Sequence, residues 1–359
     1  MSVSVRIHHI QALRGIAASA VVLDHALGPL VRNGILPSYF DDVRYNIGNL
    51  GVVVFFIVSG FIMIRTNRDR FGTLGNAKEF FLRRLTRILP IYWIGTFCAF
   101  IFVALVAKEW RFIDLGLSLA FVPYFDATHG VMKPILSVGW TLNYEMFFYA
   151  IFAVAMLLPL RAGVSFITAV FAILVGSHLL FVGPGNPAHT AALFFTEHIV
   201  LLFVIGIFIG LFATNPRIPY PFIVACFMFG LMCVAYACVR SLDDISFPTD
   251  LLMWVPAACV VMLCSGEGGE GGVFAKWAEK FGDASYSTYI FNVFVVAALA
   301  KVMPVSSYAT GLVFVLIALV ASNLLGLSIS RWIEKPILKS LRRILDRNIR
   351  GLRAKKATA

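Results

Sequence analysis

Residues 47–64 read IGNLGVVVFFIVSGFIMI and are followed by Arg65. No charged side chain interrupts the stretch. As a helix rising 1.5 Å per residue it reaches ~27 Å, close to the hydrocarbon thickness of a bilayer. A helix apolar on every side needs an apolar surround, whereas a soluble one keeps a polar face. The stretch therefore predicts a transmembrane helix. Nine further blocks of this kind lie at 10–31, 88–107, 140–160, 164–182, 194–213, 220–239, 249–264, 285–303 and 308–330; the block at 249–264 is short and carries Pro256. Of the 359 residues, 60% are apolar and only 14% charged, and the mean hydropathy is +0.86. That leaves too little polar surface to cover a soluble globule. The expected fold is all-α: a polytopic membrane bundle of about ten transmembrane helices.

The basic residues test this count. With the N-terminus in the cytoplasm, the segments on that side hold Arg6, the seven between Arg65 and Arg87, Arg161, Arg217, Lys276, Lys280 and the ten from Arg331 to Lys356. The opposite side holds Arg32, Arg44, Lys108, Arg111, Lys133, Arg240 and Lys301. The split is 22 against seven, with Arg14 inside a span, as the positive-inside rule predicts. Both termini are accordingly expected in the cytoplasm, and the membrane is expected to be the inner one. The net charge of +11 then reflects topology and contact with anionic lipids, so no nucleic-acid partner is expected.

Residues 1–330 are expected to form one membrane-embedded domain, and 331–359 a basic amphipathic cytoplasmic tail. In that tail Ile337, Leu338, Leu341, Ile344, Leu345 and Leu352 make an apolar stripe suited to the inner leaflet. The first block is expected to remain as a span rather than be cleaved as a signal peptide, because it is too long and holds Arg14 and His25. Residues 112–123 are apolar but too short to cross, and are expected to dip into the outer face or pack as a lid. Cys98, Cys226, Cys233, Cys238, Cys259 and Cys264 all lie in apolar blocks with no CxxC pair, and read as buried small hydrophobes. GEGGEGG at 266–272 lacks a preceding strand and a lysine, and is expected to be a loop rather than a phosphate cradle.

Polar groups inside the spans carry the chemistry, since an ionisable side chain at mid-membrane costs about 2.5–3.5 kcal/mol. In QALRGIAASAVVLDHALGPL (11–30), Arg14 and His25 stand 11 residues apart, three helical turns, so they share a face ~16 Å from one another. A histidine titrates near neutral pH and can take a proton from a hydroxyl. Alone, His25 would read as a packing group; with an arginine on its face, the catalytic reading leads. Asp24 points about 100° away and either orients a neighbour or reaches the outer interface.

The second constellation is WTLNYE (140–145), in which Thr141, Glu145 and Tyr149 share one helical face. Glu145 lies about as deep as His25 and could hold its imidazole in one tautomer and offset the imidazolium. The plainer alternative is a solvated carboxylate in an outer vestibule, with Trp140 and Tyr144 as interfacial belt residues. The third is FFLRRLTRILP (80–90), whose Arg83, Arg84 and Arg87 suit a phosphate-bearing donor through bidentate forks. Positive-inside anchoring alone would also place them there. His178, His189, Glu197 and His198 lack metal-ligand spacing, and no metal is expected; His129 reads as a loop residue. Ser59 in FFIVSGF (55–61) reads as a small packing residue beside Gly60.

In this order the motifs resemble the membrane-bound acyltransferase family 3, and within it the exopolysaccharide and lipopolysaccharide O-acetyltransferases. The resemblance rests on R-x10-H (Arg14, His25), FFIVSGF, the R-x-x-R of Arg84 and Arg87, GWTLNYEMFFY (139–149), GDASYSTYIFN (282–292) and RWIEKP (331–336). It implies a bundle of about ten helices with both ends cytoplasmic. It also implies acetyl-coenzyme A as acyl donor and a carbohydrate hydroxyl as acceptor. By the same resemblance His25 is the essential base, Glu145 its partner, and Arg14, Arg84 and Arg87 hold the donor. The motif that here ends in Asn292 often ends in histidine in the family, so Asn292 is given no proton transfer. Arg83 is grouped with the donor residues, and Trp140, Asn143 and Tyr149 with the acceptor. The expected function is transfer of an acyl group, acetyl first, from cytoplasmic acyl-coenzyme A to a sugar hydroxyl of a surface polysaccharide or its lipid-linked precursor. The alternative is a secondary transporter of a sugar or lipid-linked glycan, against which stands the lack of paired broken helices in two halves.

Overall fold

The computed structural model describes residues 8–126, 130–182, 190–212, 223–224, 226–232, 249–266 and 273–357. Most of the seventh apolar block, the glycine-rich stretch beyond Gly266, His129, His189, Cys233 and Cys238 lie outside the described residues. The described elements are helical apart from one two-residue hairpin ladder, Phe125–Asp126 against Val131–Met132. In chain order the helices are α1 (His8–Arg32), α2 (Phe40–Asn67), α3 (Leu74–Val106), α4 (Phe112–Leu119), α5 (Trp140–Ala155), α6 (Leu160–Phe181), α7 (Ala191–Phe194), α8 (Leu201–Phe212), α9 (Thr249–Cys264), α10 (Val273–Val302), α11 (Tyr308–Ile329) and α12 (Lys335–Ala357). Among the described residues six helices are long and apolar enough to cross a membrane: His8–Arg32, Phe40–Arg70, Leu74–Val106, Leu160–Phe181, Trp277–Val302 and Tyr308–Arg347. His198–Phe212 and Leu252–Cys264 are apolar but shorter. The protein is a multi-pass membrane helix bundle.

Several helices outrun the apolar blocks that announced them. α3 begins at Leu74, where Thr73 caps it by accepting from the Asn76 amide (3.4 Å), so the arginine run is helical rather than a loop. Apolar content marks only the part of a helix that lies in hydrocarbon, and the helix itself runs on into the interface. The segment around 112–123 packs on α3: Tyr92 Oη donates to the Ser118 carbonyl (3.0 Å) and Trp93 Nε1 to that of Leu119 (3.1 Å). The expectation that all six cysteines are buried is corrected at Cys98, which is exposed on α3.

The chain forms two compact units, one of Met1–Thr66 with Leu201–Leu327 and one of Asn67–Val200 with Ser328–Ala359. In the first, α1 and α10 make the most extensive pairing. His8 meets Glu279, Gln11 meets Gly282 and His25 meets Asn292, so the two helices run parallel. A Cβ on Gly282 would collide with the Gln11 carbonyl, and one on Gly15 would press on Phe281. These two glycines let the backbones approach. α2 and α11 run against α1, with Gly51 on Ala17, Gly48 on Asp24, Gly311 on Leu30 and Asn323 bonded to Ser19. α8 runs parallel to α2, Gly206 facing Ile57 and Gly210 facing Ile64. Small residues at such crossings are the usual means of tight packing in membranes.

In the second unit α5 runs against α3, with Phe80 on Phe152 (4.9 Å between ring centroids) and Tyr92 on Gly139. α6 returns against α5, Gly163 meeting the Ala155 carbonyl. A π-helical turn, Ser330–Glu334, joins α11 to α12, and Asp346 of α12 is bound to Arg83 of α3.

Candidate active site

Arg14 and His25 belong to the first unit; Arg83, Arg84, Arg87, Trp140, Asn143, Glu145 and Tyr149 belong to the second.

In the first unit, His25 is half-buried on α1, and its Nδ1 lies 2.5 Å from Oδ1 of Asn292 on α10. Asn292 is fully buried. Its Nδ2 donates to the backbone carbonyls of Tyr289 (2.6 Å) and Thr288 (3.3 Å). Arg14, on the same face of α1 as His25, donates to Gln11 Oε1 (3.2 Å). Asp24 accepts from Arg44 Nη1 at 2.8 Å, while Arg44 Nε holds Asp41 at 2.7 Å. Of the two roles open to Asp24, the structure thus gives it a clasp between α1 and α2.

In the second unit, Tyr149 Oη donates to Glu145 Oε1, one helical turn back on α5. The Arg84 guanidinium lies over the rings of Tyr149 (5.8 Å) and Phe80 (5.7 Å), a cation–π setting that fixes the charge without neutralising it. Among the described residues Arg84 meets no carboxylate within ion-pairing distance. Arg83 differs. Its fork binds Glu79 (3.0 Å) and Asp346 (2.7 Å), and Glu79 also holds Arg70 (3.0 Å). These ion pairs balance its charge and fasten α12 to α3. Arg87 and Arg342 stand close enough to add to the positive potential around Arg84. Asn143 is buried on α5, with an amide oxygen that finds no hydrogen-bond donor among the described residues. Trp140 packs edge-on against Tyr144 (6.0 Å), whose hydroxyl donates to the Phe194 carbonyl (2.7 Å).

Outside the spans, Asp126 gathers Arg111 (3.3 Å) and Lys133 (3.9 Å) beneath the small hairpin. Burial pushes the Lys133 ammonium down, against the pull of Asp126. His178 is a packing histidine, bonded through Nδ1 to Thr196 (2.8 Å). Among the described residues no group of His, Cys, Asp and Glu has the makings of a metal site.

Two residues in this picture escaped the sequence reading. Asn292 enters the sequence reading only as the end of a motif, although a lone amide within an apolar span is itself a signal. Arg342 looks like any other charge of a basic tail, and nothing in the sequence distinguishes it.

A family model described as an acyltransferase domain matches residues 7–331. The exopolysaccharide production protein ExoZ of Rhizobium meliloti (strain 1021) is 31% identical over 314 residues, covering 82% of this chain and 91% of the relative. No solved structure matches the chain.

Proposed function

Since the chain belongs to the membrane-bound acyltransferase family 3, we propose that it moves an acyl group, acetyl in the first instance, from cytoplasmic acyl-coenzyme A to a sugar hydroxyl. The acceptor is a surface polysaccharide or its lipid-linked precursor, and the membrane is the inner one. The carrying observation is that the matched residues 7–331 contain His25, Glu145 and Arg84, the last held over two aromatic rings and within electrostatic reach of Glu145. The name of the relative, an exopolysaccharide production protein, supports the acceptor class. The same family match favours transfer over the transporter alternative.

In this reading the donor's phosphates lie against Arg84 and Arg87, whose planar forks suit phosphate oxygens, and Arg14 is a further donor-binding candidate. Trp140, Asn143 and Tyr149 serve the acceptor, the unsatisfied amide oxygen of Asn143 being fit to receive a hydroxyl. The sugar hydroxyl gives its proton to His25 as its oxygen attacks the thioester carbon. The carbon–sulfur bond breaks, and the departing thiolate recovers that proton from the imidazolium. Glu145 is the second acid–base candidate of the chain.

The topology proposed is ten spans with both termini cytoplasmic and residues 331–359 as a basic surface tail. The helix directions support it. α2 and α8 run parallel, which calls for an odd number of crossings between them, as the three blocks at 88–107, 140–160 and 164–182 supply. α1 and α10 are likewise parallel, as first and ninth spans should be.

The test is turnover by purified protein in detergent, with acetyl-coenzyme A and an oligosaccharide of the producing cell's own polysaccharide. Release of free coenzyme A with an O-acetylated product is expected. Sugar movement across vesicles without coenzyme A release would reverse the assignment to transport.

A further inference from the structure

The Asn292 amide can be oriented in only one way. One of its ends faces two backbone carbonyls, of Thr288 and Tyr289, and carbonyls accept but never donate. That end is the NH2 group, so the end facing His25 Nδ1 at 2.5 Å is the carbonyl oxygen. An amide oxygen accepts only, hence the proton between the two groups belongs to Nδ1. A neutral imidazole carries one N–H, and with that hydrogen on Nδ1 the lone pair sits on Nε2.

We infer that Asn292 is the positioning residue of the transfer reaction: it holds His25 as the Nδ1–H tautomer and directs Nε2 as the nitrogen that takes the hydroxyl proton. The inference rests on the reading of His25 as the base. It assigns to Asn292 the tautomer-holding part that the sequence suggested for Glu145. Burial strengthens the arrangement. Asn292 is sealed from solvent, and both amide hydrogens are committed to α10's own backbone. The parallel pairing of α1 and α10 through Gly15 and Gly282 sets the register, since ten residues further along each helix stand His25 and Asn292.

Three variants and one spectrum test this. Asn292→Leu keeps the side-chain size and removes the acceptor. Asn292→Asp keeps an acceptor toward Nδ1 but loses the donors to Thr288 and Tyr289. His25→Gln removes the base. With matched protein levels, Asn292→Leu is expected to lower kcat for acetyl transfer at least about tenfold, short of the ~10⁴-fold that a wrong tautomer costs a serine-protease histidine. KM for acyl-coenzyme A should stay unchanged. Asn292→Asp should recover most of that loss. A purely structural amide would give the opposite order, since Asp forfeits both backbone bonds. Nitrogen-15 spectra of histidine-labelled wild-type protein, with His25 assigned from the His25→Gln spectrum, should show a protonated Nδ1 and a bare Nε2. An Nε2–H tautomer, or an Asn292→Leu enzyme with normal kcat, overturns the inference even if His25→Gln is inactive. An active His25→Gln enzyme removes the base reading itself.

Discussion

At the scale of single residues, the argument turns on whether His25 moves a proton or fills space. General-base catalysis is worth about 10²–10⁴-fold, so His25→Ala should lose that much acetyl transfer while still inserting into the membrane. Glu145→Gln should fall between wild type and His25→Ala, because an amide keeps the bond to Tyr149 but no longer carries a charge. Adding it to His25→Ala should cost little more, as groups acting as a unit are not additive. Transfer assays on membranes with matched protein levels check all three. The arginines separate similarly. Replacing Arg84 and Arg87 by Lys preserves charge but not the fork; binding of acyl-coenzyme A should weaken at least about tenfold, roughly one charge-assisted hydrogen bond. Unchanged binding, measured by calorimetry in detergent, would reduce the pair to membrane anchoring.

At the scale of elements, the α1–α10 contact depends on two glycines rather than on apolar bulk. A side chain at 282 would strike the Gln11 carbonyl, so Gly282→Val should destabilise by about 1–3 kcal/mol, the usual cost of overpacking. It should also reduce transfer, because the same contact sets His25 against Asn292. Gly176 offers the contrast: nothing lies within 4 Å of a Cβ there, so Gly176→Ala in mid-helix should be neutral or stabilising by up to about 1 kcal/mol. Thermal unfolding in detergent orders the two variants against wild type. The sequence places Gly176 inside an apolar block and Gly282 at the head of the GDASYSTYIFN motif, but only the packing shows which of the two a Cβ would crowd.

At the scale of the whole molecule, reporter fusions give the topology directly. Fusions within 70–80 and at the C-terminus should report cytoplasm, and fusions within 130–135 the opposite side. A cytoplasmic signal at 130–135 would separate the outer hairpin from the acceptor side and remove the ten-span reading. Sequence by itself determined that this is a helical membrane protein of the acyltransferase family. Apolar run length and basic asymmetry are one-dimensional consequences of bilayer thickness and membrane potential, and the motifs lie within short windows. It also singled out His25 and Glu145 as candidates, because an ionisable group in hydrocarbon is conspicuous wherever it occurs, and Arg84 through the R-x-x-R motif. Tertiary structure alone decided which groups these meet. Asn292 stands 267 positions from His25, Asp346 stands 263 from Arg83, and Asp24 finds Arg44 on the next helix. A partner's identity depends on which helix faces which and at what register, and that follows from packing at glycines rather than from any local pattern. For the same reason Arg83 and Arg84, adjacent and alike in sequence, part company in the fold: a helix turns 100° per residue, carrying one to two carboxylates and the other to two aromatic rings.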